Sequence, residues 1–163
     1  MGYTGAAMTL QQLLDREAIR QVHCRYARGI DRVDGEMIRS CFTERPRFTR
    51  VPQAKVVREV GGREEIVQWF VNGITRYDAT QHLMANEYFS LGESDARSET
   101  YAVAQHVFQG EGKATLYVMA IRYKDGLVKS GGEWRIEHRE LNLDWREGAP
   151  PGADNASRRR RVG

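Results

Sequence analysis

The chain has 163 residues, 40% hydrophobic and 29% charged, with 25 Lys and Arg against 22 Asp and Glu for a net charge of +3. That length and balance fit one soluble globular domain with a real core, and no run approaches the roughly 18 apolar residues of a membrane span. Arg158 to Arg161 supply four positive charges; subtracting them from +3 leaves −1 for the preceding residues, so the body is not the basic surface that nucleic-acid binding requires.

Residues 1–9 are small and polar, without a basic start or an apolar run, which argues against a signal peptide and for a cytoplasmic protein. Thr9, with Gln12 three residues later, makes a capping box. Leu10, Leu13, Leu14, Ile19, Val22 and Tyr26 follow at helical spacings and predict one apolar helix face. Gly29 and the Ile30-Asp31 step end that helix or mark a turn. Asp34 then caps a short second helix over 35–41, with Met37, Ile38 and Cys41 inward.

Pro46 forces an extended segment over 43–51, and residues 56–60 read as a second short strand. Gly61-Gly62 ends it. Residues 63–71 form an amphipathic helix stopped by Asn72-Gly73. Four long strands follow, over 81–91, 96–108, 114–128 and 133–145, separated by glycine-bearing turns. Helices first and an antiparallel meander afterwards predict an α+β layer protein, with helices on one face of a curved sheet. Residues 8–146 are the domain, and 147–163, with Pro150-Pro151-Gly152 and the arginine run, read as a disordered basic tail.

Two cysteines cannot build a four-thiolate metal site, so core packing is expected of both Cys24 and Cys41. Asp31, Asp34 and Glu36 fit no calcium-loop spacing; no metal site is predicted. Trp69, Trp134 and Trp145 are expected to fill core and interface, and His23, His106 and His138 to be surface or core residues without carboxylate partners.

The segment Tyr26-Ala-Arg-Gly-Ile-Asp31 and the distant Thr80-Gln-His82 hold the minimal equipment for moving a proton, an Asp that could orient and charge-stabilise a His. By themselves these residues favour the plainer reading, an Asp that caps a turn and a His satisfied in the core. Five ordered patterns add to them. They are Leu14-Asp-Arg-Glu-Ala-Ile19, Arg25-Tyr-Ala-Arg-Gly-Ile-Asp-Arg-Val-Asp34, Val60-Gly-Gly-Arg-Glu-Glu65, Thr80-Gln-His-Leu-Met-Ala-Asn86 and Gly132-Glu-Trp-Arg-Ile-Glu-His-Arg139, with Asp144-Trp145 beyond.

Together they resemble the SnoaL-like branch of the nuclear transport factor two-like superfamily, across roughly residues 8–146. The resemblance implies a cone-shaped curved antiparallel sheet with N-terminal helices packed on its concave face, enclosing a mostly apolar pocket. Within that branch the chain is most similar to the bile acid 7α-dehydratase and hexachlorocyclohexane dehydrochlorinase families. Their base is a helix-end Asp with a strand His, matching Asp31 and His82; the dehydratases add a Tyr at the position of Tyr26. Both carry an Arg on the later strands, where this chain offers Lys129 or Arg122. Tyr88 and Tyr101 are expected to line the ligand site.

These residues would suit a lyase of the dehydratase kind, or an isomerase, acting without a cofactor on a polycyclic, steroid-like or aromatic-polyketide-like molecule. The alternative is a non-catalytic module that binds a hydrophobic ligand or serves as an accessory subunit, such as the small subunit of a ring-hydroxylating oxygenase. The resemblance also implies a homo-oligomer, dimer or trimer, joined through the outer sheet face.

Overall fold

Thr9 opens the first helix as the capping box predicts. Its Oγ1 accepts from the Gln12 backbone N–H at 3.1 Å, and its own N–H donates to Gln12 Oε1 at 2.9 Å. In the computed structural model, which describes residues 8–52 and 58–152, this helix, α1, spans Leu10–Arg32. Gly29 does not end it. A Cβ there would lie 2.9 Å from Ile38 Cγ1, so this glycine lets the next helix press against α1. The helix stops at Val33, whose left-handed backbone (φ 57°) turns its N–H onto the Gly29 and Ile30 carbonyls.

The buried stripe of α1 runs through Asp15, Ile19, Val22, His23, Tyr26 and Ile30. Leu10, Leu13 and Leu14, expected on that stripe, are instead 72%, 51% and 55% exposed; they precede the point where the helix reaches the sheet. Helix α2, Gly35–Ser40, is capped by Asp34, whose side chain accepts from the Met37 N–H at 2.9 Å. Helix α3 covers Arg63–Ile74 and carries Trp69 and Phe70 onto the same core.

One six-stranded sheet receives the helices, in the order β2-β1-β6-β5-β4-β3. Strands β3 (Ala79–Leu91), β4 (Asp95–Gly110), β5 (Lys113–Ser130) and β6 (Glu133–Glu147) form the predicted antiparallel meander. Strand β1 (Phe42–Pro52) returns to pair in parallel with β6, and β2 (Arg58–Gly61) closes that edge antiparallel to β1. The sheet is curved, mostly antiparallel and not closed, so the α+β class holds. Residues 56 and 57 of the expected second strand lie outside the described residues.

Alternation decides which side chains meet the helices. On β4 these are Ala102, Ala104, His106 and Phe108, and on β5 Tyr117, Met119, Ile121, Tyr123, Asp125 and Leu127. Two of the four register irregularities among the described strands turn charged residues inward. On β3 the register slips between Met84 and Glu87, and on β6 the partners step from Ile136 to His138 opposite Leu127 and Gly126. Glu87 and Arg139 are thereby turned toward the helices.

Cys41 is fully buried, and burial pushes its thiol up to about 11. Cys24 is exposed rather than in the core, because α1 turns it away from the stripe. Trp134 is buried, but Trp145 lies 55% exposed on the outer face. Glu147 still belongs to β6, and beyond it Pro151 is buried, with Arg76 Nη2 donating to the Pro151 carbonyl and, at 3.0 Å, to that of Gly152. The rest of the expected tail, residues 153–163, lies outside the described residues. No helix among the described residues is long and apolar enough to cross a membrane.

Candidate functional site

The helix layer and the sheet leave a cavity of about 230 Å³ between them. Tyr26 and Ile30 of α1, Trp69, Phe70 and Ile74 of α3, and Ala104, Met119, Ile121 and Leu141 of the sheet make most of its wall. Its polar lining comes from His82, His106, Tyr77, Tyr117 and Tyr123, with Arg50 and Arg76.

Asp31 sits in the last turn of α1, where the negative end of the helix dipole disfavours a carboxylate. His82 of β3 compensates. Its ring Nδ1 lies 2.7 Å from Asp31 Oδ1, and its backbone N–H donates to Asp31 Oδ2 at 2.9 Å. Burial pushes the Asp31 carboxyl upward, but these contacts with His82 outweigh it and hold the carboxyl below its usual range. Using both carboxylate oxygens on one residue fixes the strand and the ring together. With Nδ1 committed to Asp31, Nε2 is the ring nitrogen left for a ligand.

His106, for which no partner was expected, stands next to this pair. Strand register places His82 opposite Ala104 and His106 opposite Tyr117, so His82 and His106 share a face two residues apart in register. Their ring centroids are 5.7 Å apart, nearly perpendicular, and the Tyr77 ring lies 4.6 Å from His106. Burial, reinforced by the neighbouring His82, lowers the His106 imidazole to about 4, so it is neutral at physiological pH.

Tyr26 is 2% exposed and packs edge-on against Phe42, Phe70 and Tyr123. Burial raises its hydroxyl above the usual phenol value. Behind it lies a charged cluster that sequence reading did not find. Arg139 places its guanidinium 4.1 Å from the Tyr26 ring centroid and 4.3 Å from that of Tyr123. Its Nε and Nη2 donate to the two oxygens of Asp125 at 2.8 and 2.6 Å, both side chains being wholly inaccessible.

His23 joins the same cluster with two carboxylate partners, Glu87 at 2.9 Å and Asp125 at 3.2 Å; the expectation that it had none is corrected. Burial works against its charged form, but hydrogen bonds to Asp125 and Glu87 outweigh this and raise the imidazole above its ordinary value. Burial likewise pushes Asp125 up, and Arg139 overrides it, leaving the carboxyl at about 2.

The other four expected site residues are not brought to this cavity. Arg122 points to the outer sheet face, where its Nε and Nη2 each donate to Asp144 at 2.7 Å. Tyr101 lies beneath the Arg122 guanidinium, and Tyr88 stands 6.5 Å from Tyr101, 65% exposed. All three occupy outward positions of their strands. Lys129 donates to Asp15 at 2.7 Å near the start of α1, which, with Trp134, lowers the Asp15 carboxyl. The cations lining the cavity are Arg50 and Arg76 instead. Among the described residues no group of three His, Cys, Asp or Glu side chains could hold a metal ion.

The model of the SnoaL-like domain family matches residues 11–140. Among solved structures, the fold is similar to a candidate scytalone dehydratase from Novosphingobium aromaticivorans DSM 12444, at 22% identity over 92% of this chain and 96% of that one, with a TM-score of 0.75. A Mycobacterium tuberculosis protein of unknown function is similar at 23% identity over 85% and 78%, TM-score 0.71. The hexachlorocyclohexane dehydrochlorinase LinA type 2 is similar at 15% identity over 88% and 98%, TM-score 0.72. At these identities the likeness establishes the fold. No curated protein sequence matches the chain.

Proposed function

Because the chain belongs to the SnoaL-like domain family, we propose that it is a cofactor-independent lyase of the dehydratase kind, or an isomerase, working on a hydrophobic ring-bearing small molecule. The observation that carries this reading is the two-point contact of Asp31 with His82 at the wall of an otherwise mostly apolar cavity.

His82 Nε2 takes a proton from an acidified C–H of the bound ring. The ionised Asp31 stabilises the imidazolium that forms, and a positioned base of this sort contributes about 10²–10⁴-fold in rate. The electron pair left on carbon expels a hydroxyl or other group from the neighbouring carbon, giving a double bond, or delocalises into a carbonyl and is re-protonated elsewhere. Tyr26, kept protonated by burial, donates a hydrogen bond to the oxygen that gains negative charge. Neutral His106 orients that same side of the ligand. The names of two structural neighbours, a dehydratase and a dehydrochlorinase, are those of eliminations across a carbon–carbon bond, in keeping with this chemistry.

The outer face, where Leu83, Tyr88, Tyr101, Leu116 and Trp145 are exposed, is the surface a second copy would cover in the homo-oligomer we expect.

Incubating the protein with a panel of ring ketones and alcohols in D₂O, and following deuterium uptake and water loss by mass spectrometry, tests the reading. His82→Ala should lose at least a hundredfold of either activity while still binding the active compounds. Equal activity in wild type and variant sinks the proposal.

A further inference from the structure

The cavity wall is unbalanced in charge. Among the described residues its lining includes Arg50 and Arg76 and no Asp or Glu. Both arginines are partly exposed, so they sit where the cavity meets solvent. Arg76 is held there by its bonds to the Pro151 and Gly152 carbonyls, which also draw the chain across beside Pro150 of the cavity wall. The Arg50 side chain makes no hydrogen bond or ion pair with any described residue. The Arg50 guanidinium, at the cavity mouth and with no carboxylate bound to it among the described residues, is open to an anion that a ligand brings.

Both charges bear on one hydroxyl. Burial raises Tyr77 to about 12, while Arg76 and Arg50 each pull it down; Arg76 is the chain neighbour of Tyr77, and both arginines line the same cavity as its ring. Tyr77 contacts the His106 ring, and His106 faces His82. The cavity thus holds two guanidinium groups and the proposed base in one lining, with Tyr77 and His106 in contact toward His82.

Size sets a second bound. A dry apolar cavity of about 150 Å³ accommodates benzene. A space of about 230 Å³ matches one ring or two fused rings with a small substituent.

We propose that the ligand is a one- or two-ring compound bearing a carboxylate, with the acid received by Arg50 at the rim and the reacting carbon carried to His82. This deepens the lyase or isomerase reading and rests on it for the reaction, but not for binding. An Arg–carboxylate pair made in two points gives direction as well as affinity. It fixes which edge of the ring faces the base.

Calorimetric titration with two probes of matched shape, 2-naphthoate and 2-naphthylmethanol, separates charge from ring size. Wild type should bind the acid at least tenfold more tightly than the alcohol. Arg50→Gln should abolish that preference while leaving the alcohol's affinity unchanged, which also reports an intact cavity. Cholate, a four-ring acid, should not compete. Equal affinity for the two probes, no binding of either, a preference that survives Arg50→Gln, or cholate binding as tightly as naphthoate would each overturn the proposal. His82→Ala should keep the preference for naphthoate over the alcohol. Its effect on deuterium uptake decides the reaction separately, so either idea can fail while the other stands.

Discussion

Replacing Asp125 by Asn would leave the Arg139 guanidinium charged and enclosed, with half of its anchoring gone. Neither side chain has any solvent-accessible surface, and the pair is joined at two points, 2.8 and 2.6 Å. Breaking such a pair from one side costs about 3–5 kcal/mol; Asn retains one acceptor, so the lower end, about 3 kcal/mol, applies. Against a domain stability of about 5–15 kcal/mol that is a large fraction. At about 2–4 °C per kcal/mol for a chain of this size, Tm should fall by about 6–12 °C. The same pair has an acid signature. The Asp125 carboxyl stands at about 2 in the fold and near 3.9 in an unfolded chain, so its contribution is complete above about pH 4 and is lost as pH falls toward 2. Thermal melts followed by circular dichroism at pH 7, and again from pH 5 down to 2, measure both effects. The variant should be less stable at pH 7 and show a shallower acid slope than wild type. A Tm within about 2 °C of wild type at pH 7, or an undiminished slope below pH 4, would refute the reasoning.

Three further outcomes follow from the site geometry. Asp31→Asn keeps an acceptor for the His82 backbone but removes the charge that stabilises the imidazolium. A charged hydrogen bond is worth about 1.5–3 kcal/mol, so proton exchange should drop about 10–100-fold with ligand binding retained; unchanged exchange would remove Asp31 from the mechanism. Arg122→Gln alters a partly exposed ion pair outside the cavity and should change stability by less than about 1 kcal/mol and ligand affinity by less than twofold, whereas a tenfold loss of affinity would mean that the cavity wall is misassigned. The His106 ring signals in a proton NMR titration should stay fixed from pH 8 to 5, since burial holds its imidazole at about 4. A titration centred near 6.5 would show that this ring is solvated.

The parts of the molecule legible in its sequence are those that depend on local pattern. Thr9 with Gln12, Asp34 before α2 and the glycine-bearing turns marked element ends, because each satisfies backbone groups within a few residues. The resemblance, not the spacing, joined Asp31 to His82 across 51 positions. What stayed hidden depends on register. His106 faces His82 because β3 and β4 pair with Ala104 opposite residue 82, and no local signal gives that offset. Glu87 and Arg139 were hidden for a stronger reason: strict alternation from His82 or from Ile136 sends both outward, and only the irregularities at Met84/Glu87 and Gly126/Leu127 turn them in. The four expected ligand-site residues that do not reach this cavity share a related cause. Tyr88, Tyr101 and Arg122 lie on outward positions of strands correctly located in the sequence, since an error of one position in facing moves a side chain to the opposite surface. Lys129 was tied to the site by alignment alone, while the structure ties it to Asp15. Arg50 and Arg76 gave no signal, because a cation matters to this cavity only once the sheet edge and the α3–β3 junction have been folded around it. The inner face is therefore where the sequence under-reports chemistry: the irregularities that turn Glu87 and Arg139 inward also complete the charged layer behind Tyr26 and Tyr123, tying the cavity floor to the stability of the fold.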